Sequence, residues 1–520
     1  MPSRPVRRRS PSATLSRRGF VVGAAATATL GLLGRPRLLR AQAAPKAGGT
    51  LTAGVAADAA TLDPHMSGSS FDRQLFHALY NPLVNIDKDL KIVPDLAESW
   101  EVPDPATYVF RLRKGVRFHD GTELTADVAK WNFERMMGEK SQRRSELTPV
   151  DHVEVVDPVT VRIKLKTPFA PFLSLLTDRA GMMVSRAAVE KHGADFATHP
   201  VGTGPFGLVE WVRKDHVTLK KFPGYFKPGL PYLDGLNFRV IPDDSVKLTN
   251  LRTGAVDIID AIPPKDVGTV KRDPQLVFTE SASLGYSDVI LNLKRAPFAS
   301  AALRQALAWA IDRDAIQRVI FFNTGRPSQG PIAPGHFAYE PAFAPFKADP
   351  ARVKAKLAEG GEPNGFSFTM KVINTPLQIQ IAQLLQAQAR EAAIDVKIEL
   401  LDFTTLLSQL RAKDFAAILI WWSGRIDPDG NMFPQFITGG AFNDGSYANP
   451  AVDKALTTGR TSLDPKVRAA AYREAQKLIA EEVAMVFLHH DAILIGHRKP
   501  VQGFVNLPDG MLHLERVWLS

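Results

Sequence analysis

The feature that most constrains the fold is a change of texture near Asn292. From Gly49 to about Pro200 the chain is strand-rich. Tyr108-Val109-Phe110-Arg111-Leu112-Arg113 and Val161-Arg162-Ile163-Lys164-Leu165-Lys166 alternate apolar and polar residues, as half-buried strands do. Between them Thr125 is set to cap a helix running through Trp131 and Phe133 to about Met137. Lys220 to Asp260 alternates again, with turns at Pro223-Gly224 and Pro228-Gly229. Beyond Asn292, helices predicted over Ala301 to Phe321, 378–393 and 465–482 alternate with strands predicted over 395–401 and 415–422. Ala417-Ile418-Leu419-Ile420-Trp421-Trp422 is an unbroken apolar run, suited to a strand buried on both faces, with Trp421 the expected core member of the tryptophan pair. Residues 491–520 return to strand-like alternation. A chain that leaves one lobe, builds another and returns has two linkers between them, hence a hinge.

The amino terminus carries a different message. Ser16-Arg17-Arg18-Gly19-Phe20 precedes a weakly apolar run from Phe20 to Leu33, and Ala41-Gln42-Ala43 follows as a small-x-small cleavage site. This pattern predicts a twin-arginine export signal, residues 1–43, cut near Ala43. The run is shorter than the roughly 20 apolar residues of a spanning helix. The signal also explains the charge. It holds nine of the 64 Lys+Arg and no acid, leaving the other 55 against 54 Asp+Glu. A near-neutral mature protein is not expected to bind nucleic acid. There is no cysteine, which excludes a lipid anchor, disulfides and thiolate metal sites. The expected product is a periplasmic protein without stable membrane insertion, whose export route serves fast folding rather than cofactor loading.

Several chemical motifs fail on inspection. Gly202-Thr203-Gly204-Pro205-Phe206-Gly207 matches a dinucleotide fingerprint literally, but Pro205 deletes an N–H and Leu208 to Lys221 reads as strand where a helix is needed. It is expected to be a tight turn. His119, in Phe118-His119-Asp120-Gly121-Thr122, is expected to be structural. His489 and His490 are adjacent on a strand and face opposite sides, so they do not share a metal, although one of them can line a cleft. Neither a nucleophile–base pair nor a metal-ligand spacing is visible, so no cofactor, metal or catalytic residue is expected.

A series of phrases is instead spread along the chain. Ala97-Glu98-Ser99-Trp100-Glu101-Val102 leads into Tyr108-Val109-Phe110 and on to Gly115-Val116-Arg117-Phe118-His119-Asp120-Gly121-Thr122. Gly202-Thr203-Gly204-Pro205-Phe206, Asn292-Leu293 with Pro297-Phe298, Leu303-Arg304-Gln305-Ala306-Leu307-Ala308-Trp309-Ala310-Ile311-Asp312-Arg313 and Tyr447-Ala448-Asn449-Pro450 follow. Together these resemble the peptide/nickel class of extracytoplasmic solute-binding proteins of ABC importers, over residues 49–520. The resemblance implies an α/β, two-lobed periplasmic-binding-protein fold with a hinge and an extra subdomain on the first lobe. The expected limits are 44–290 for the first lobe, with the subdomain at about 65–195, then 291–490 for the second lobe and 491–520 for the return. It also implies that a peptide or similarly sized polar solute is enclosed between the lobes and delivered by a monomer to an ABC permease in the inner membrane.

In peptide-binding relatives, the strand-to-loop phrase after a second-lobe Trp supplies an Asp that pairs with the peptide amino terminus. The matching phrase here is Trp421-Trp422-Ser423-Gly424-Arg425-Ile426-Asp427-Pro428-Asp429-Gly430-Asn431. Without a gap the acidic position falls on Arg425; with a shorter loop Asp427 takes it. Arg425 facing the cleft offers a planar fork of donors to a carboxylate or phosphate. Turned back, it pairs with Asp427 or Asp429. Trp422 is expected to wall the cleft beside Ser423. On the first lobe, Ser69, Ser70 and Phe71 precede a helical stretch whose N–H groups and hydroxyls suit a polar ligand, or whose N-cap is Ser69 or Ser70. Asn443, Tyr447 and His490 complete the candidate set. Two rival functions remain at this level: an exported enzyme such as a hydrolase, and a ligand-binding accessory of a sensory receptor.

Overall fold

The computed structural model describes residues 44–520, and the export-signal reading of residues 1–43 lies outside them. Two mixed sheets carry the chain. The first has seven strands in the order Leu276–Ala282, Ala492–Arg498, Ile258–Ile259, Thr50–Val55, Gly235–Val240, His216–Lys221 and Phe206–Val212. The second has six, in the order Arg326–Pro327, Met485–His490, Tyr286–Leu291, Ala417–Trp422, Phe366–Ile373 and Ile394–Leu401. A separate four-stranded antiparallel sheet, Ala97–Asp104, Thr107–Leu112, Thr160–Leu165 and Val150–Asp157, packs under the helix Ala126–Met137 around Phe110, Phe118 and Phe133. This is the extra layer of the first lobe. Thr125 caps its helix as the sequence suggests, accepting from the Val128 N–H at 3.4 Å.

The chain passes between the two large sheets twice, through Ser283–Gly285 and through Asp491. The crossings are joined to each other, because the Ser283 N–H donates to the Asp491 carbonyl at 3.0 Å. Two short strands of backbone lying side by side make a narrow hinge. The lobes also touch away from it. The Ala170 N–H of the first lobe donates to the Arg460 carbonyl of the second at 2.8 Å, and the Arg460 guanidinium lies 5.2 Å from the Phe169 ring.

Three sequence expectations need correction. The predicted helix over 301–321 is two helices, Ala301–Ala310 and Arg313–Val319, because Asp312 leaves the helix to cap the second one, accepting from the Ala315 N–H at 2.9 Å. Leu208 to Lys221 is a hairpin of two strands rather than one strand. Trp421 is not core: it is 42% exposed and stacks on Phe403 at 6.0 Å, where the parallel strand Phe366–Ile373 no longer pairs beyond Leu419 and Tyr286–Leu291 is the one remaining neighbour. The Gly202–Gly207 segment is a turn, as expected. A Cβ on Gly204 would lie 2.3 Å from the Leu79 carbonyl carbon, so glycine lets this turn press against the helix Arg73–Leu79. His119 braces the same turn, with Nε2 3.0 Å from the Gly204 carbonyl.

One polar group sits oddly in the second sheet. Asp288 lies in Tyr286–Leu291, where every residue is buried, between Tyr286 and Ile290 of an apolar cluster. Its Oδ2 has no hydrogen-bond partner, and burial pushes its pKa well above the ordinary carboxylate range. A carboxyl that keeps its proton in the folded state loses stability as pH rises from its unfolded pKa, about 4, toward the folded one. Relative to Asp288→Val, the wild type should lose up to about 1.4 kcal/mol per pH unit across that window. Urea unfolding at several pH values measures this, and parallel profiles would contradict it.

Candidate functional site

The site grows out of the hinge. The strand Ala417–Trp422 ends in a loop whose backbone lies directly on the crossing at Leu284–Gly285. Gly424 has φ +77°, and a Cβ there would come 2.3 Å from the Leu284 carbonyl carbon; on the facing strand, a Cβ on Gly285 would meet the Trp422 carbonyl oxygen. Two glycines therefore permit a contact that no other residue pair allows.

Asn431 locks this contact. It is fully buried in the helix Pro428–Phe436 and its amide donates to the carbonyls of Leu284 at 2.8 Å and Pro331 at 3.0 Å. Its oxygen accepts from the Arg425 N–H at 2.8 Å and from the Trp422 indole at 3.1 Å. One side chain thus joins the hinge, the cleft loop and the Pro331 segment. Sequence reading passed over it, although it stands in the quoted phrase. His336 adds a further brace, with Nε2 donating to the Arg425 carbonyl at 2.7 Å.

Arg425 itself projects outward and is exposed. Its Nη1 donates to the Gly424 carbonyl at 2.6 Å and the Ser423 hydroxyl at 3.1 Å, and its guanidinium lies 4.9 Å from the centre of the Trp422 ring. Among the described residues no carboxylate pairs with it. The charges that act on it belong to the other lobe: Glu146, Arg73, Asp178 and Arg143, while crowding by protein lowers its pKa. Arg425 therefore lies within electrostatic reach of the first lobe.

The acids that were rivals for this place are used elsewhere. Asp427 is 7% exposed, caps the helix through the Asp429 N–H at 2.9 Å and pairs with Arg468 at 2.8 Å. Asp429 pairs with Arg460 at 2.7 Å and accepts from the Tyr472 hydroxyl at 3.2 Å. Burial raises the pKa of Asp429 despite Arg460. Arg425 turns back to neither acid.

The facing wall is also rich in arginine. Arg73 lies 3.1 Å from Asp178, Arg143 pairs with Glu146, and Arg179 donates to the Ser67 and Ser69 carbonyls at 3.2 Å. Burial pushes Asp178 up, but Arg73 and Arg179 outweigh it and hold the group below the usual carboxylate range. Burial lowers Arg179 to about 10, so it too is charged at neutral pH. Four guanidiniums, Arg73, Arg143, Arg179 and Arg425, are set against three carboxylates, Asp178, Glu146 and Asp509.

The remaining sequence candidates fall in separate places. Ser70 and Phe71 are exposed on the first-lobe loop, and the Ser69 hydroxyl accepts from the Phe71 N–H at 3.1 Å. Neither serine is the N-cap, which is Asp72, and the helix spans only Arg73–Leu79. Asn443 is buried and spends its side chain on Ile437 and on both backbone groups of Tyr447. Tyr447 packs in the apolar cluster of the second lobe. His490 is buried, with Nε2 3.0 Å from the Ser328 hydroxyl and Nδ1 3.0 Å from the Gly285 carbonyl; burial pushes it down to about 4. It lines a cavity of about 400 Å³ beside Gln329, Tyr339 and Gln476. Trp422, Ser423 and Arg425 are the candidates brought together at the hinge.

Three comparisons bear on this arrangement. The pattern of bacterial extracellular solute-binding proteins, family 5 Middle, matches residues 91–444. The glutathione-binding protein GsiB of Pectobacterium atrosepticum is 30% identical over 516 residues, 96% of this chain and 98% of that one. Among solved structures, the periplasmic binding protein DppA of Helicobacter pylori in complex with the peptide STSA is similar at TM-score 0.80 and 27% identity, covering 91% of this chain and 98% of that one. AgaA of A. tumefaciens R10, in complex with agropinic acid, is similar at TM-score 0.78 and 29% identity, covering 91% and 99%.

Because Asn431 satisfies four polar groups at once, two of them in buried bonds, Asn431→Ala should cost about 3 kcal/mol or more. Urea unfolding checks this. A loss below about 1 kcal/mol would show that water replaces the side chain without penalty.

Proposed function

The chain belongs to the bacterial extracellular solute-binding proteins of family 5, substrate-binding components of ABC importers, and on that footing we propose that its solute is a small peptide-like molecule with net negative charge. The observation that carries this reading is Arg425, unpaired with any acid among the described residues and facing an arginine-rich wall. A neutral or cationic peptide would leave that excess charge uncompensated on closure, whereas a ligand carboxylate completes a charge-assisted, two-pronged contact. Relatives named for glutathione and agropinic acid are consistent with it. Glutathione carries two carboxylates and one amine.

Mechanistically, the solute bridges Arg425 on one lobe to Arg73, Arg143 or Arg179 on the other. It makes both contacts only when the lobes close, and so shifts the open–closed equilibrium toward the form a permease receives. Trp422, Ser423, Ser69, Ser70 and Phe71 line the approach. Nothing in this assignment requires covalent chemistry, and we assign the protein no catalytic role. Export is proposed to run through the twin-arginine signal to the periplasm, with cleavage near Ala43.

Calorimetric titration with tripeptides of equal size and different charge, glutathione among them, tests the ligand class. Acidic members should bind best, and Arg425→Ala should weaken them about 10- to 100-fold, the worth of a hydrogen bond to a charged group. Asp427→Asn should lower the melting temperature and leave affinity nearly unchanged. Unaltered binding by Arg425→Ala, or a preference for cationic peptides, would sink the assignment. For the route, replacing Arg17 and Arg18 with lysines should leave uncleaved precursor in the cytoplasm on fractionation, and normal export would contradict it.

A further inference from the structure

Two histidines and an aspartate from opposite ends of the described chain meet on the first lobe. His77 lies in the last turn of the helix Arg73–Leu79, and Asp509 and His513 lie in the loop that follows Val501–Gln502. One nitrogen of each imidazole and one carboxylate oxygen all fall within 4.8 Å of one another. The His513 Nε2 is 2.8 Å from Asp509 Oδ2, and the two rings are 4.3 Å apart, centre to centre, at 44°. We propose that His77, Asp509 and His513 form a binding site for a zinc-class divalent cation.

Three observations point the same way. First, His77 Nε2 is shielded from water and has no hydrogen-bond partner. A buried nitrogen left without a partner is costly, and a cation satisfies its lone pair directly. Second, the ligands are held in place by backbone rather than by chance proximity. Gln74, one turn before His77 on the same helix, donates to the Gly510 carbonyl at 3.0 Å and accepts from the Leu512 N–H at 3.0 Å. Those two residues lie between Asp509 and His513, so a single side chain fixes the loop's register against the helix. Asp509 Oδ1 is itself held by the Met511 N–H at 3.0 Å, which leaves Oδ2 directed at the histidines. Such outer support is what fixes the orientation of a ligating carboxylate. Third, Arg73, the arginine that acts on Asp509, is itself paired with Asp178 at 3.1 Å.

The donor set selects the metal. Two imidazole nitrogens with one carboxylate suit Zn²⁺, Co²⁺ or Ni²⁺, whereas Mg²⁺ and Ca²⁺ take oxygen shells. Three protein ligands leave a fourth position for water or for a donor atom of a small solute. The His513 side chain is 20% exposed and Asp509 only 5%, so the cation enters from the His513 side. A bound ion would tie the helix that carries Arg73 to the carboxy-terminal segment.

The test uses purified full-length or exported protein, stripped with a chelator and titrated with Co²⁺ alone. The proposal predicts a break at one equivalent, a visible absorption band of four-coordinate Co²⁺, and displacement by Zn²⁺. His77→Gln and Asp509→Asn should each weaken binding at least tenfold while the metal-free melting temperature stays within a few degrees of wild type. Should either variant fail to fold, His513→Gln provides the same readout. Absence of a one-equivalent break, or equal Co²⁺ binding by the wild type and a folded variant, would overturn the site.

Discussion

Backbone contact at the hinge is the constraint on which the rest of this molecule depends. The loop Trp422–Arg425 can lie on Leu284–Gly285 only because Gly424 and Gly285 carry no side chain, and Asn431 then ties the two segments with three hydrogen bonds and joins them to Pro331 with a fourth. Fully satisfied buried polar networks of this kind fix one geometry, since every alternative leaves a donor or acceptor unpaired. The consequence is functional. On the proposed function, the fixed backbone of Arg425 beside the pivot holds its guanidinium before any ligand arrives, and less ordering is left for binding to accomplish.

The distribution of charge follows the same logic. Asp427 and Asp429 sit two and four residues beyond Arg425, yet both are buried against arginines of their own lobe. Breaking a buried pair by removing one partner strands the other charge, typically at a cost of about 3–5 kcal/mol. These acids are therefore scaffold. They hold the helix Pro428–Phe436, and through it Asn431, in position. Arg425 alone among the three charged residues of this loop has no oppositely charged partner among the described residues. Arg460 connects the two roles: it pairs with Asp429 and its carbonyl receives the Ala170 N–H of the first lobe. The contact that supports the loop thus also joins the lobes.

Much of this was legible in the sequence where the signal is local. The helix start at Thr125, the strand Ala417–Trp422, the return of residues 492–498 to the first sheet and the structural role of His119 follow from alternation, capping preference and turn chemistry. What sequence could not resolve is non-local. Whether Arg425 faces out or pairs with Asp427 depends on Arg468, 41 residues beyond Asp427. Asn431 looks unremarkable in a row of residues because its partners come from segments near 284, 331 and 422. Trp421 reads as core from hydropathy, but the parallel neighbour Phe366–Ile373 stops pairing at Leu419 and the side chain is exposed. His77 and His513 have no motif spacing at all, and only the fold brings them together. The break at Asp312 is the opposite case: a capping residue inside an apolar helical pattern was a local signal outweighed by the periodicity around it.

The central claim is that the cleft selects negative charge. Mass spectrometry of the small molecule released on denaturing gently purified protein tests it most directly. A solute of peptide size bearing more carboxylates than amines is the predicted result. A neutral or cationic peptide, or an uncharged sugar, recovered in stoichiometric amount would contradict the account and return Arg425 to the scaffold of its loop.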